Sequence, residues 1–106
     1  MIPISPEELR DRLRDRPETL VLLDVREADE REAARIEPSI HIPMNDVPPR
    51  RGELPTDRLL VVYCHHGSRS MVVASYLEQE GLPEPANLTG GIEAWSLRVD
   101  PDVPRY

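Results

Sequence analysis

Five short segments with strand-like patterns of apolar residues recur along the chain. Residues 20–23 and 59–63 are continuously apolar and rich in branched side chains, a pattern typical of strands that are buried on both faces of a parallel sheet. Residues 39–42 alternate between apolar and polar side chains, and residues 2–4 and 86–88 are shorter runs. Each of these three segments also predicts a strand.

Helical segments alternate with these strands. Ser5 at the N-cap, Pro6 at the first helical position and Glu8 closing a capping box predict a helix after the first strand. Residues 28–34 predict a short solvated helix, and its run of charges is interpreted as simply its exposed face. Strands that alternate with helices through short links predict an α/β fold, in which helices cover both faces of a parallel sheet.

The second half of the chain continues this alternation. Prolines and a glycine in residues 44–55 predict one turn of helix and a loop. After the fourth strand and a loop of five residues, the spacing predicts a helix that runs to Glu80, with Gly81 in the stop position. Ile92 and Trp95 lie three apart on a last helix and are expected to pack inward, with Trp95 as a core anchor.

Composition favours one globular domain over residues 1–106, with residues 101–106 as an extended tail that lies over the body or engages a partner. No apolar run approaches the roughly 18 to 20 residues that a membrane span needs. The first residues lack a secretory pattern and a single cysteine agrees with a reducing compartment, so we predict a cytoplasmic protein. The net charge of −7 argues against nucleic acid or an anionic membrane surface as a partner.

The only cysteine of the chain follows the fourth predicted strand directly. A tight loop containing Gly67 separates Cys64 from the next helix, and the N–H groups of such a loop and helix start converge to form an anion cradle. These amides and the guanidinium of Arg69 should lower the pKa of the thiol below its free value of about 8.5. A lone cysteine is most often an inert core residue, but residues 67–70 beside this one favour a reactive thiol.

The stretch from Cys64 to Ser70 resembles the active-site loop of the rhodanese-like sulfurtransferases, written C-x-x-G-x-R-[ST]. Segments 23–27, 40–43 and 90–95 (LDVRE, IHIP and GGIEAW) are similar to three other motifs of that family in the same order. The resemblance implies a five-stranded, mostly parallel sheet flanked by helices on both faces. It also implies transfer of a sulfane sulfur from a small anionic donor such as thiosulfate, through a Cys64 persulfide, to a thiol, cyanide or protein acceptor.

In this mechanism Cys64 is the nucleophile and no metal or organic cofactor is needed. The residues expected to bind the substrate or the persulfide share the loop after it: His65, His66, Gly67, Ser68, Arg69 and Ser70. Their backbone amides would surround the charged outer sulfur, while Arg69 would attract the anionic donor. Gly67 would permit the loop conformation, and either Ser68 or Ser70 would donate to the sulfur or cap the helix.

Two histidines follow the cysteine directly, and this combination of residue types suggests a metal site. Adjacent residues in a tight loop rarely aim their side chains at one ion, so we expect no metal there. One of His65 and His66 is expected to line the mouth of the site and the other to face solvent. His41 is expected to be a partly exposed strand residue, and Asp24, at a strand end, to be a structural carboxylate rather than a general acid.

The spacing within the loop distinguishes sulfur transfer from phosphate chemistry. Phosphatase loops of the Cys-x5-Arg type enclose a tetrahedral phosphate, whereas four residues separate Cys64 from Arg69. The shorter loop encloses a smaller space, which suits a single outer sulfur. The alternatives are a phosphatase or arsenate reductase that uses the same cysteine, and a non-catalytic rhodanese-like binding or sensor module.

Overall fold

A five-stranded sheet forms the centre of the computed structural model, which describes all residues 1–106. The strands follow the spatial order β1-β5-β4-β2-β3, and every neighbouring pair is parallel. Their bounds are β1 Ile2–Ile4, β2 Leu20–Asp24, β3 Ile40–His41, β4 Leu59–Tyr63 and β5 Ala86–Leu88. The predicted α/β fold with a parallel sheet is confirmed, although β3 is shorter than its alternating sequence pattern.

Four helices connect the strands and a fifth follows the last strand: α1 Pro6–Asp15, α2 Ala28–Ala33, α3 Val47–Arg50, α4 Ser68–Gln79 and, after β5, α5 Gly91–Arg98. The predicted start of α1 is confirmed, since Ser5 and Glu8 form a capping box. The proline-containing segment is more helical than predicted, because short 3₁₀ turns at Met44–Asp46 and Arg51–Glu53 flank α3. None of the helices combines the length and the apolar character that crossing a lipid bilayer requires.

The alternation of side chains along the two central strands divides the core into two layers. Leu22 and Val61 point to the face that also buries Leu9 of α1 and Trp95 of α5. Their chain neighbours on β2 and β4 point to the opposite face and pack under α4. Because both faces are covered, both strands read as continuous apolar runs. The inward packing predicted for Trp95 is confirmed.

The central strand β4 positions the functional site. It lies between β2 and β5, and its carboxyl end leads through a short loop into α4. Helix α4 begins at Ser68, so the predicted loop of five residues is too long and Ser68 and Arg69 belong to the first helical turn. The loop is shorter because Gly67 adopts a positive φ of 111°, which lets the chain turn sharply into the helix. The helix ends at Gln79, close to the predicted stop at Gly81.

The charged helix α2 is not simply a solvated element, so its interpretation from the sequence is wrong in part. Glu30 and Arg31 are only partly exposed and make ion pairs toward the body of the protein. Arg31 bonds Asp24 and Ser39, while Glu30 bonds Arg69 at the start of α4. Charge density alone does not show which members of such a run have distant partners.

Candidate active site around Cys64

Cys64 lies at the carboxyl end of the central strand, where open parallel sheets commonly hold their sites. The residue is only 1% exposed, so its sulfur sits at the base of the loop rather than on the surface. Its backbone carbonyl accepts a hydrogen bond from Ile92 N–H at 2.9 Å, and the carbonyl of His65 accepts one from Glu93 N–H at 3.1 Å. These two bonds fix the cysteine loop against the first turn of α5.

The close approach of α5 depends on a glycine. Gly91 has a φ of 62°, and a Cβ placed on it would lie 2.6 Å from the carbonyl oxygen of Cys64 and would overlap that of His65. No other residue fits without displacing the backbone that carries the thiol.

Hydrogen-bond donors converge on the Cys64 sulfur. Gly67 N–H lies 3.1 Å from Sγ and the Ser70 hydroxyl lies 3.4 Å from it, and the backbone amides of Arg69 and Ser70 also donate toward it. Burial acts to raise the pKa of this thiol. The hydrogen bonds from the Ser70 hydroxyl and the nearby amides outweigh burial and leave the pKa of Cys64 below its ordinary value, which favours the thiolate form that acts as a nucleophile.

The two serines of the loop have different positions. Ser70 is buried, and its hydroxyl lies near three acceptors: the sulfur, the Gly67 carbonyl at 3.1 Å and the side-chain oxygen of Asn87 at 2.5 Å. Ser68 is exposed, and the N-cap of α4 is Gly67, with no side-chain cap. The structure therefore places Ser70, and not Ser68, against the sulfur.

The guanidinium of Arg69 is held by a carboxylate on α2. Its two terminal nitrogens donate to Glu30 Oε1 at 2.7 Å and Oε2 at 2.9 Å. This pairing with Arg69 lowers the pKa of Glu30 to about 2 and raises that of the arginine. Arg69 lies at the start of α4, directly after the cysteine loop, and its positive charge is already paired with a neighbouring carboxylate.

Asp24 has the structural role expected of it. The carboxylate is completely buried and accepts hydrogen bonds from the Arg26 side chain at 2.8 and 2.9 Å, from Arg26 N–H and from the Tyr63 hydroxyl. Burial acts to raise the pKa of Asp24, but the bonds from Arg26 outweigh it and the pKa is lowered. His41 is half-buried on β3 and bonds the carbonyl of Arg26, so neither residue faces the thiol chemistry as an acid or a ligand.

The histidines form one wall of the site. His65 is partly buried, and His66 beside it is exposed, with their ring centroids 3.9 Å apart. Burial, followed by the neighbouring His66, lowers the pKa of His65 and favours its neutral form. The ring of Tyr106 stacks on His65 at 4.0 Å, and its hydroxyl donates to Glu30 Oε2 at 2.8 Å. Burial is the main cause that raises the pKa of Tyr106, to about 12.

Four residues of the site come from distant parts of the chain and were not predicted: Glu30, Asn87, Glu93 and Tyr106. Glu30 and Tyr106 contact each other and Asn87 contacts Ser70, while Glu93 approaches His65 and pairs with Arg105. Glu30 had a signal in its place in a charged run after a strand end, and Glu93 lies within the motif at residues 90–95, although neither pattern indicated a place at the site. Asn87 and Tyr106 could be found only once the sheet order was known. The contacts of Tyr106 with His65 and Glu30 show that the C-terminal tail lies over the body of the protein, one of the two arrangements expected from the sequence.

Comparison with known proteins places this geometry in a family. The sequence model of the family described as the rhodanese-like domain matches residues 5–98. A sulfurtransferase from Allochromatium vinosum is 40% identical over 100 residues, which cover 94% of this chain and 92% of that protein. The rhodanese-like/PpiC domain-containing protein 12, chloroplastic, of Arabidopsis thaliana is 36% identical over 109 residues, covering 97% of this chain but only 36% of that protein.

Solved structures agree with the sequence comparisons. A crystal structure of a rhodanese-related protein from Thermoplasma volcanium superimposes with a TM-score of 0.86 and 29% sequence identity, and the match covers 100% of both chains. The chain spans nearly the full length of the bacterial relative and of this archaeal structure, and about a third of the plant relative.

Proposed function

This chain belongs to the rhodanese-like domain family, and we propose that it is a sulfurtransferase that carries a sulfane sulfur on Cys64. The observation that carries the proposal is the convergence of hydrogen-bond donors on a buried sulfur, with Gly67 N–H at 3.1 Å and the Ser70 hydroxyl at 3.4 Å. Donors placed in this way stabilise a negative charge on sulfur before the substrate arrives. The name of the Allochromatium vinosum relative, a sulfurtransferase, supports the same activity.

The reaction has two displacement steps. The Cys64 thiolate attacks the outer sulfur of a donor such as thiosulfate; the donor's S–S bond breaks, and sulfite leaves with the electron pair. Sulfite is a stable anion, so this step requires no general acid. A nucleophilic acceptor, such as cyanide or a small or protein thiol, then attacks the outer sulfur of the Cys64 persulfide and the thiolate is regenerated. The amides that favour the thiolate would equally hold the persulfide anion.

Arg69 would act on the donor with only part of its hydrogen-bonding capacity. Two of its N–H groups bond Glu30, and the remaining groups of the half-exposed guanidinium are left for an anion. Because Glu30 compensates the positive charge, orientation by hydrogen bonds rather than attraction by net charge is the contribution that we assign to Arg69.

Phosphate-ester hydrolysis is less well supported because no carboxylic acid near the loop can act as a general acid for an alcohol leaving group. The carboxylates around the loop are Asp24, Glu30 and Glu93, and each has a lowered pKa because an arginine is its partner. A group held in the ionised form at neutral pH donates protons poorly. Burial of the sulfur and the short loop also favour a single outer sulfur over a phosphate group.

A non-catalytic binding module is less well supported, because the nucleophile is present and its pKa is lowered. A module that only binds a partner would gain nothing from a buried, ionisable thiol surrounded by donors. A cytoplasmic location, where the thiol stays reduced, is part of our proposal.

Parallel activity assays test the proposal. The purified protein is assayed for thiosulfate:cyanide sulfur transfer and for hydrolysis of an aryl phosphate, each beside Cys64→Ser, with circular dichroism to verify the fold. We expect sulfur transfer that the Ser variant loses, because oxygen is a much weaker nucleophile at neutral pH. Phosphate hydrolysis without sulfur transfer, or equal sulfur transfer by the Ser variant, would overturn the assignment.

A further inference from the structure

Three side chains at the mouth of the site form a cluster that sulfur transfer does not use. The ligand-type atoms of His65, His66 and Glu93 all lie within 4.8 Å of one another. The backbones of two of these residues are tied together, since Glu93 N–H donates to the carbonyl of His65 at 3.1 Å. The third, His66, is exposed and can turn at little cost.

The side chains of His65 and Glu93 have a spacing close to that of metal ligands. His65 Nε2 lies 3.6 Å from Glu93 Oε2, too far for a hydrogen bond. Zinc bonds to imidazole nitrogen and carboxylate oxygen are about 2.0–2.2 Å long, so two ligand atoms of a tetrahedral site stand about 3.4 Å apart. A shift of a few tenths of an ångström would bring this pair to the spacing that an ion requires.

The same pair contains an unsatisfied polar atom. His65 Nε2 is buried and has no hydrogen-bond partner, an arrangement that normally costs free energy and asks for an explanation. Arg105 takes the other carboxylate oxygen of Glu93, Oε1, at 2.6 Å. It thereby leaves Oε2 as the carboxylate oxygen on the side of the histidine. A cation between these two atoms would satisfy both.

We propose that His65, His66 and Glu93 form a binding site for a divalent transition-metal ion of the zinc class. Two imidazoles and one carboxylate are a donor set that suits borderline ions such as Zn²⁺ and leaves one tetrahedral position open. The expectation that adjacent histidines would not face one ion omitted Glu93, which α5 brings from a distant part of the chain. The ion would add positive charge beside a cysteine loop whose only guanidinium, on Arg69, is already paired with Glu30.

Zinc binding to the reduced protein tests this site, measured by competition with a chromophoric chelator. We expect one ion per chain, and we expect Glu93→Gln and His66→Asn each to weaken binding by about tenfold or more, the loss typical of a disturbed metal site. Cys64→Ser should keep the affinity, because the thiol is not a ligand in this proposal. His41→Asn, which alters the one histidine outside the cluster, is the matched control and should also keep it.

Several outcomes would overturn the proposal. Absence of one-to-one binding would do so, as would loss of binding in Cys64→Ser, which would assign the ion to the thiolate. An equal loss in His41→Asn would show non-specific binding to histidine. Circular dichroism verifies the fold of each variant. If Glu93→Gln disturbs the packing of α5, the test depends on His66→Asn, because His66 is exposed and its replacement should not affect the fold. None of these readouts depends on sulfur transfer, so the site and the proposed function can fail separately.

Discussion

Replacing Ser70 by alanine removes the only side-chain hydroxyl that bonds the Cys64 sulfur. The hydroxyl oxygen lies 3.4 Å from Sγ in a buried position. The change leaves the Gly67 amide in place, 3.1 Å from the sulfur, and it introduces a better helix former in the first turn of α4. We therefore expect Ser70→Ala to weaken the stabilisation of the thiolate and raise the pKa of Cys64 without changing the fold.

The size of the shift follows from the geometry. A hydrogen bond to a charged group contributes about 1.5–3 kcal/mol, and one pKa unit corresponds to about 1.4 kcal/mol. The contact is long, and the single hydroxyl proton is shared among the sulfur, Gly67 O and Asn87 Oδ1, so the lower end of the range applies. The expected rise is about one pKa unit. The Asn87 oxygen loses its donor, which should also cost about 1–2 kcal/mol of stability.

The rate of alkylation by iodoacetamide as a function of pH measures this pKa directly. Only the thiolate reacts, so the rate rises with pH through the pKa of Cys64 and then levels off. For the wild type the midpoint should lie below that of a free thiol, and for Ser70→Ala about one unit higher than the wild type. Ser68→Ala, an exposed serine in the same helical turn, is the control and should leave the midpoint unchanged. An unchanged midpoint in Ser70→Ala, or an equal rise in Ser68→Ala, would refute the reasoning.

Three further predictions concern the surroundings of the thiol. Arg69→Ala should raise the apparent KM for thiosulfate about fivefold, equivalent to about 1 kcal/mol for a partly exposed pair. Adding Glu30→Gln should reverse part of this rise in KM, because it removes the negative charge that the first change leaves unpaired. Steady-state kinetics measure both variants, and a double variant with no lower KM than Arg69→Ala would contradict the prediction. Because Arg69 lowers the folded-state pKa of Glu30 to about 2 from an ordinary 4.5, this carboxylate stabilises the fold above pH 4.5 and the contribution disappears as the pH falls toward 2. The difference in unfolding free energy between the wild type and Glu30→Gln, from urea titrations, should accordingly shrink over that range, and a constant difference would argue against the pair. Gly91→Ala should lower the free energy of unfolding by at least about 2 kcal/mol in the same titrations. Gly52→Ala is the control and should leave it nearly unchanged, because a Cβ at that position meets nothing within 4 Å. Similar losses in both variants would show that the close approach at Gly91 is unimportant.

Most of the strands and helices could be predicted from the sequence, because the patterns that identify them involve residues close together in the chain. The continuous apolar runs of β2 and β4 arise from burial on both faces, and the capping box of α1 lies within four residues. The start of α4 was missed because a positive φ at Gly67 replaces a longer turn. A glycine in a sequence permits that conformation but does not require it.

Only the part of the candidate site that is contiguous in sequence could be predicted. Cys64 and the amides that surround it are neighbours in sequence, so their convergence follows from a strand, a turn and a helix. Glu30 and Glu93 reach the same loop from other elements, and their positions depend on the order of strands in the sheet. Arg69 therefore looked like an unpaired cation in the sequence, although the structure pairs it with Glu30.

The mass of the intact protein after treatment with thiosulfate tests the central claim most directly. The reduced protein is incubated with thiosulfate, desalted and weighed, beside Cys64→Ser under identical conditions. A persulfide on Cys64 predicts a gain of one sulfur atom in the wild type, its removal by cyanide with release of thiocyanate, and no gain in the variant. An unchanged mass, a gain equal to sulfite or to the whole donor, or the same gain in Cys64→Ser would contradict the account.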